Sequence, residues 1–237
     1  MLIDGYTLFG SWPGLPYDHP VEHLLAGMKQ HKVDRACTLS SQGIFFDAAV
    51  GNATTYAACQ ADARLIPIGV VDPRLNGIEQ VEFCQQHGFR MLAMFPCAQN
   101  WSMDSICTKQ LLKAIADSKL PVMIEAYYDG DASKIWQAMG DQDIPLVLLD
   151  ANPNTLSETI ALIQARPKTY LATRLLCGGD TIELLVDRVG ADKLVFTSRF
   201  PICCFSSAFL TAKFAAISDQ DRAAILGENI SGLLGIA

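Results

Sequence analysis

Eight short apolar runs alternate with stretches of helical length along the whole chain, and that order leaves few folds open. The runs fall at 2–6 (LIDGY), 34–39 (DRACTL), 66–71 (IPIGVV), 89–95 (FRMLAMF), 121–125 (PVMIE), 145–150 (PLVLLD), 169–174 (TYLATR) and 194–198 (LVFTS). Between them the periodicity predicts helices near 21–32, 45–63, 77–87, 103–119, 132–140, 155–165 and 180–190, then a closing pair near 205–217 and 219–234. Strand-helix alternation places strands parallel and buried on both faces, and eight repeats suggest closure. A chain of 237 residues is close to the roughly 250 of an eight-fold barrel. The expectation is a single-domain α/β chain over 1–237 folded as a (β/α)8 TIM barrel. An open doubly wound sheet is the competitor, but the glycine-rich phosphate turn expected after its first strand is absent.

Punctuation agrees with these boundaries. Gly88 stops a helix, Pro121 and Pro145 open strands, and Ser218-Asp219-Gln220-Asp221 reads as a capped helix start. A net charge of −7 argues against nucleic acid, whose phosphates call for clustered Lys and Arg. No apolar run is long enough to span a membrane and no basic segment precedes an apolar one at the N-terminus, so a cytoplasmic chain is expected. The eight cysteines are scattered over strands, helices and loops, which reads as reduced thiols.

The order of several short motifs resembles the amidohydrolase superfamily, in its amidohydrolase-related branch of lactonases, aromatic-acid decarboxylases and small metal-dependent hydrolases. Ile3, Asp4 and Gly10 in LIDGYTLFG are similar to that family's Ile-Asp-x-His-x-His opening, with Tyr6 and Leu8 where the histidines would stand. GVVDP at 69–73 and GFRMLAMFP at 88–96 resemble its third and fourth strands, and LVFTSRFP resembles its Leu-x-Phe-Gly-Ser-Asp-x-Pro. Ile225, Asn229, Leu233 and Gly235 follow the pattern of its closing helix. The resemblance implies a barrel with a metal site at the mouth, and often a homodimer. It also expects histidines where Glu125 and Asp150 stand and an aspartate where Arg199 stands. The reading therefore expects neither a metal nor any other cofactor.

Candidate site residues follow from the strand ends. Glu125, Asp150 and Arg199 each close a strand, where barrel side chains face a shared mouth. Arg199 is expected to neutralise the two acids, with Tyr6 and Arg174 completing a polar lining. Arginine suits a substrate carboxylate through parallel hydrogen bonds, while Glu125 or Asp150 supplies a general base. Two functions stay open: a metal-independent hydrolase, lactonase or lyase acting on a small carboxylated organic substrate, or a non-catalytic ligand-binding or interaction protein (a pseudoenzyme) on the same barrel, in which a closed salt bridge of these residues would hold the barrel top together. Cys97, Cys177, Cys203 and Cys204 follow predicted strands and offer another way to bind a metal. Trp12 and Trp101 are read as rim loops or a lid, Tyr127 and Tyr128 as rim aromatics, and Asp72 as the cap of an Asp-Pro turn.

Overall fold

The computed structural model describes residues 1–16 and 18–236. Its first half runs β1 (Ile3–Ser11), β2 (Asp18–His19), α1 (Val21–His31), β3 (Arg35–Ser40), α2 (Gln42–Phe45), α3 (Ala48–Ala61), β4 (Leu65–Val70), α4 (Gly77–Gln86), β5 (Met91–Met94), α5 (Pro96–Gln99) and α6 (Ile106–Ser118). Then come β6 (Val122–Glu125), α7 (Asp131–Met139), β7 (Leu146–Leu149), α8 (Leu156–Ala165), β8 (Thr169–Ala172), α9 (Thr181–Val189), β9 (Leu194–Val195), α10 (Phe205–Phe214), α11 (Asp219–Ala223) and α12 (Asn229–Leu234). A 3-10 turn at Ala191–Lys193 precedes β9, and one π-turn at Ala224–Glu228 joins α11 to α12.

The sheet order is β2-β1-β3-β4-β5-β6-β7-β8-β9, parallel throughout except for β2 on β1. Closure comes from the segment after β9. Gly5 N donates to Phe196 O at 2.8 Å, Arg199 N to Tyr6 O at 2.8 Å and Leu8 N to Phe200 O at 3.1 Å. The eight-stranded TIM barrel expected from the alternation is therefore present. The strand at 194–198 is regular only over Leu194–Val195, and the rest of that run forms the seam.

Alternate residues of each strand serve two apolar layers, as a parallel barrel requires. Leu8, Leu39, Ile68, Met91, Met123, Val147, Ala172 and Val195 pack into the lumen. Leu92, Ile124, Leu148, Leu171 and Leu194 pack outward against the helices. A bulge between Asp4 and Thr7 shifts the parity of β1 so that Ile3, Tyr6 and Leu8 share the lumen. Asp4 fixes that seam: it accepts from Ser198 N at 2.9 Å, from Tyr6 N at 3.2 Å and from the Ser198 hydroxyl. Burial raises its carboxyl to about 7 against these bonds.

Helix ends follow their caps. Asp47 accepts from Val50 N, Ser105 from Thr108 N and Ser218 from Asp221 N. Asn229 donates to Ala191 O and Leu194 O at 2.8 and 2.7 Å, tying the closing helix to the last strand. The helix expected at 45–63 is α3, and the short α2 that precedes it packs so closely that a Cβ on Gly51 would lie 2.1 Å from Gly43 N. No helix among the described residues is long and apolar enough to cross a membrane.

Candidate functional site

Strand parity delivers three polar side chains to the barrel mouth. Glu125 follows Met123, Arg174 follows Ala172, and Arg199 lies four residues after Val195, each in step with a lumen residue. Asp150 breaks the parity, because Val147 and Leu149 already point inward. Its φ of 64° turns the chain into the left-handed region, and Ala151 then packs in the outer layer. Arg199 is also left-handed, at φ 59°. Such backbone costs on the order of 1–3 kcal/mol where it is not glycine and concentrates at functional sites.

These residues form an ion cluster centred on Asp150. Arg174 Nε donates to Asp150 Oδ1 at 3.1 Å, and its Nη2 donates to the same oxygen. Arg199 Nη1 stands 3.8 Å from Asp150 Oδ2. Both partners of the tighter pair are buried, at 8% and 7% exposure. Arg174, named from the sequence only as part of the lining, is thus the principal partner of Asp150, and Arg199 is the looser one. Arg199 lays its guanidinium on the Trp12 ring, 4.3 Å from the centroid, and Trp12 in turn packs edge-on against Phe45 at 4.6 Å. The buried Nε of Arg199 has no hydrogen-bond partner among the described residues.

Glu125 stands apart from that pair. Ala98 N, in α5, donates to its Oε2 at 2.9 Å. Burial favours its neutral form, the charge of Asp150 adds to this, and Arg199 and the Ala98 amide oppose it; the net shift is upward. Glu125 also lines a cavity of about 580 Å³ with Cys97, Trp101, Met103, Tyr128 and Lys134 among its walls. Tyr6 is fully buried beside the cluster, and burial pushes its phenol well above the usual range although Arg199 pulls it down.

The remaining candidates do not join the ion cluster as a group. Cys97 Sγ is 3.6 Å from Asp131 Oδ2, and burial together with Glu125 and Asp131 pushes its thiol to about 12. Cys203 Sγ accepts from Arg174 Nη1 at 3.7 Å, while Cys177 Sγ reaches Arg174 O and the Ser207 hydroxyl. Among the described residues no three His, Cys, Asp or Glu side chains stand close enough to hold an ion, so the four cysteines do not converge on a metal. Asp72 binds the Arg74 amide and guanidinium in its own turn. His19 Nδ1 lies 3.2 Å from His23 Nδ1, His31 stacks on Phe205, and His87 contacts Phe83 O. One carboxylate held by two guanidinia and one carboxyl biased toward neutrality do not fit a divalent cation.

No protein-family model matches the sequence, and no functionally curated protein matches it. Solved structures do. An uncharacterized TIM-barrel protein from Bordetella bronchiseptica superposes at TM-score 0.78 with 17% identity, over 99% of this chain and 98% of its own. A protein from Acinetobacter baumannii provisionally assigned as a 2-pyrone-4,6-dicarboxylic acid hydrolase, with citric acid bound, gives 0.78 and 13% over 99% of both chains. A variant 5-carboxyvanillate decarboxylase from Novosphingobium aromaticivorans, holding manganese and 3-methoxy-4-hydroxy-5-nitrobenzoic acid, gives 0.77 and 13% over 100% and 97%. The structural neighbours thus include enzymes of the amidohydrolase-related branch, and what this chain shares with them is the whole TIM barrel from first strand to last helix.

Proposed function

We propose that the chain binds a small carboxylated organic molecule at its barrel mouth without a metal ion, and acts on it by proton transfer from Glu125 as a hydrolase or lyase. The observation that carries the reading is the charge balance of the mouth. Two guanidinia, Arg174 and Arg199, face one carboxylate that both engage, while the second acid is shifted toward its neutral form. Arg199 is the more loosely engaged of the two, and its buried Nε has no partner among the described residues. A carboxylate supplies what that edge lacks: negative charge and paired acceptors in one plane.

The cavity that Glu125 lines is large enough for a compact organic acid; its walls include Asp131 and Lys134 but neither Arg174 nor Arg199. A carboxyl held protonated above its ordinary range is suited to giving a proton to a leaving oxygen or to a ring carbon. The carboxylic acids held by the two liganded neighbours agree with this reading. Asp150 is unsuited to act as a base, since both of its oxygens face guanidinia. In the non-catalytic alternative, the Asp150 cluster under Trp12 holds the barrel top shut; the burial of Arg174 and Asp150 favours it.

The test is a thermal-shift panel in chelator-treated buffer that pairs small carboxylates with their neutral amides, followed by turnover assays on the matching esters and lactones. Stabilisation by the acids alone, with ester or lactone opening lost in Glu125→Gln, supports the proposal. Equal effects of acids and amides refute the binding site. Carboxylate binding with no turnover of any ester or lactone leaves the non-catalytic reading.

A further inference from the structure

The cavity that Glu125 lines has a buried base and an exposed rim. Glu125, Met103 and Ile135 are buried, whereas Tyr128 and Lys134 are exposed. Trp101 is fixed by donating its indole N–H to Gln99 Oε1 at 3.0 Å. Asp131 is fixed through Oδ2, which accepts from Tyr128 N at 2.8 Å and from the Cys97 thiol at 3.6 Å. The first turn of α7 carries both Asp131 and Lys134 and is pinned by Glu158 of α8, to which Gly130 N and Ser133 N donate at 3.0 and 3.1 Å. Those two amides are therefore already taken and do not serve an anion in the cavity. What remains is Asp131 Oδ1 and Lys134 Nζ, which stand 3.7 Å apart, too far for a hydrogen bond. Neither atom makes a hydrogen bond with any other described residue.

We infer that the cavity takes a small zwitterion, an α-amino acid with an apolar side chain, its ammonium group on Asp131 Oδ1 and its carboxylate on Lys134 Nζ. The inference rests on the reading above that Glu125 meets a bound organic acid; it adds a cationic group to that molecule and names Lys134 as the cation its carboxylate meets in the cavity. Two opposite charges held just beyond hydrogen-bond range keep unused capacity, since the oxygen still accepts and the ammonium still donates. An ammonium and a carboxylate on one carbon fill both at once, and they replace one loose contact with two charge-assisted hydrogen bonds. An ion pair with an exposed lysine contributes little to stability, so a ligand displaces it at little cost. Charge gives the same choice. Asp131 and Lys134 cancel whether or not Glu125 carries its proton, so a zwitterion keeps the balance. An acid or an amine alone leaves one of the two residues unmatched and partly desolvated. The apolar part of the ligand has Trp101, Met103 and Ile135 to pack against. Glu125 lines the same cavity, which brings its carboxyl to the molecule that it is proposed to act on.

The experiment measures dissociation constants, at constant pH and ionic strength, for L-phenylalanine and its two fragments: 3-phenylpropionate, which lacks the ammonium, and 2-phenylethylamine, which lacks the carboxylate. The proteins compared are the unaltered chain, Asp131→Asn, Lys134→Gln and Lys134→Arg. The expected result is that the unaltered protein binds L-phenylalanine about tenfold or more tighter than either fragment. Asp131→Asn should erase the advantage over 3-phenylpropionate, and Lys134→Gln the advantage over 2-phenylethylamine. Lys134→Arg keeps the charge and should retain most of the latter. Lys134 is exposed, so its variants test the site even where Asp131→Asn weakens the fold. Binding of 3-phenylpropionate as tight as that of L-phenylalanine overturns this inference alone and leaves the carboxylate-binding reading standing. Binding of neither carboxylate overturns both. An amine that binds as tightly as the amino acid overturns this inference, because the carboxylate then adds nothing. L-Phenylalanine that keeps its full advantage in Asp131→Asn and Lys134→Gln binds elsewhere, which also overturns it.

Discussion

Replacing Asp150 with asparagine separates charge from shape at the centre of the mouth. Asparagine tolerates the left-handed backbone that Asp150 adopts at φ 64°, so the substitution adds little strain. What it removes is the acid that, among the described residues, both Arg174 and Arg199 engage. Leaving one partner of a buried ion pair unmatched costs about 3–5 kcal/mol, and the amide oxygen that stays behind as an acceptor places the expectation near the lower end, at about 3 kcal/mol. For a domain of this size each kcal/mol moves the midpoint by about 2–4 °C, so Asp150→Asn should lower Tm by about 6–12 °C. Urea unfolding should show the same loss with an unchanged slope, which assigns it to stability rather than to a changed unfolded state. Adding Arg174→Met should recover part of the loss, since a pair removed together costs less than a pair broken. A small carboxylate should stabilise Asp150→Asn more than the unaltered protein, by standing in for the missing charge. A fall in Tm below about 2 °C, or no recovery in the double variant, would refute the ion cluster.

The other expectations concern separate parts of the molecule. Glu125→Gln should cut turnover by about a hundredfold or more while changing carboxylate affinity by less than about threefold. In the unaltered protein, activity that needs the Glu125 proton should persist above the ordinary carboxyl range and disappear as pH rises through the raised folded value. Asp4, raised from 3.8 to about 7, is protonated in both folded and unfolded chains at the lowest pH. Between those values the unfolded chain releases the proton and the folded one keeps it, so stability declines across that window, by on the order of 4 kcal/mol in all. Asp4→Asn should flatten the decline in denaturant titrations run from pH 4 to pH 8. Gly51→Ala would drive a Cβ to within 2.3 Å of Gly43 Cα as well as 2.1 Å of its nitrogen, so it should destabilise by at least about 2 kcal/mol, read from the urea midpoint.

Much of the barrel was legible because its strands are buried on both faces, so each appears as a continuous apolar run whatever its neighbours do. The ends of those runs located Glu125, Asp150 and Arg199 for the same reason. The pairing of Arg174 with Asp150 was harder to read. It depends on a left-handed residue that reverses strand parity after Leu149, and no residue type there demands that conformation. Arg174 itself carried a usable signal, being in step with Ala172 in the lumen. The two-residue strand β2 and the four-residue helices α2 and α5 were missed, since none is long enough to show a period. Yet β2 sets Trp12 over Arg199 and α5 supplies the amide that holds Glu125, so short elements shape the site while long ones shape the scaffold.

Calorimetric titration of benzoate into metal-depleted protein, repeated with Arg199→Gln and after adding manganese, addresses the loosely paired Arg199 guanidinium directly. Binding by the depleted protein, weakened at least tenfold in Arg199→Gln and unchanged by manganese, is the expected result. Binding that appears only with manganese and is indifferent to Arg199→Gln would contradict it.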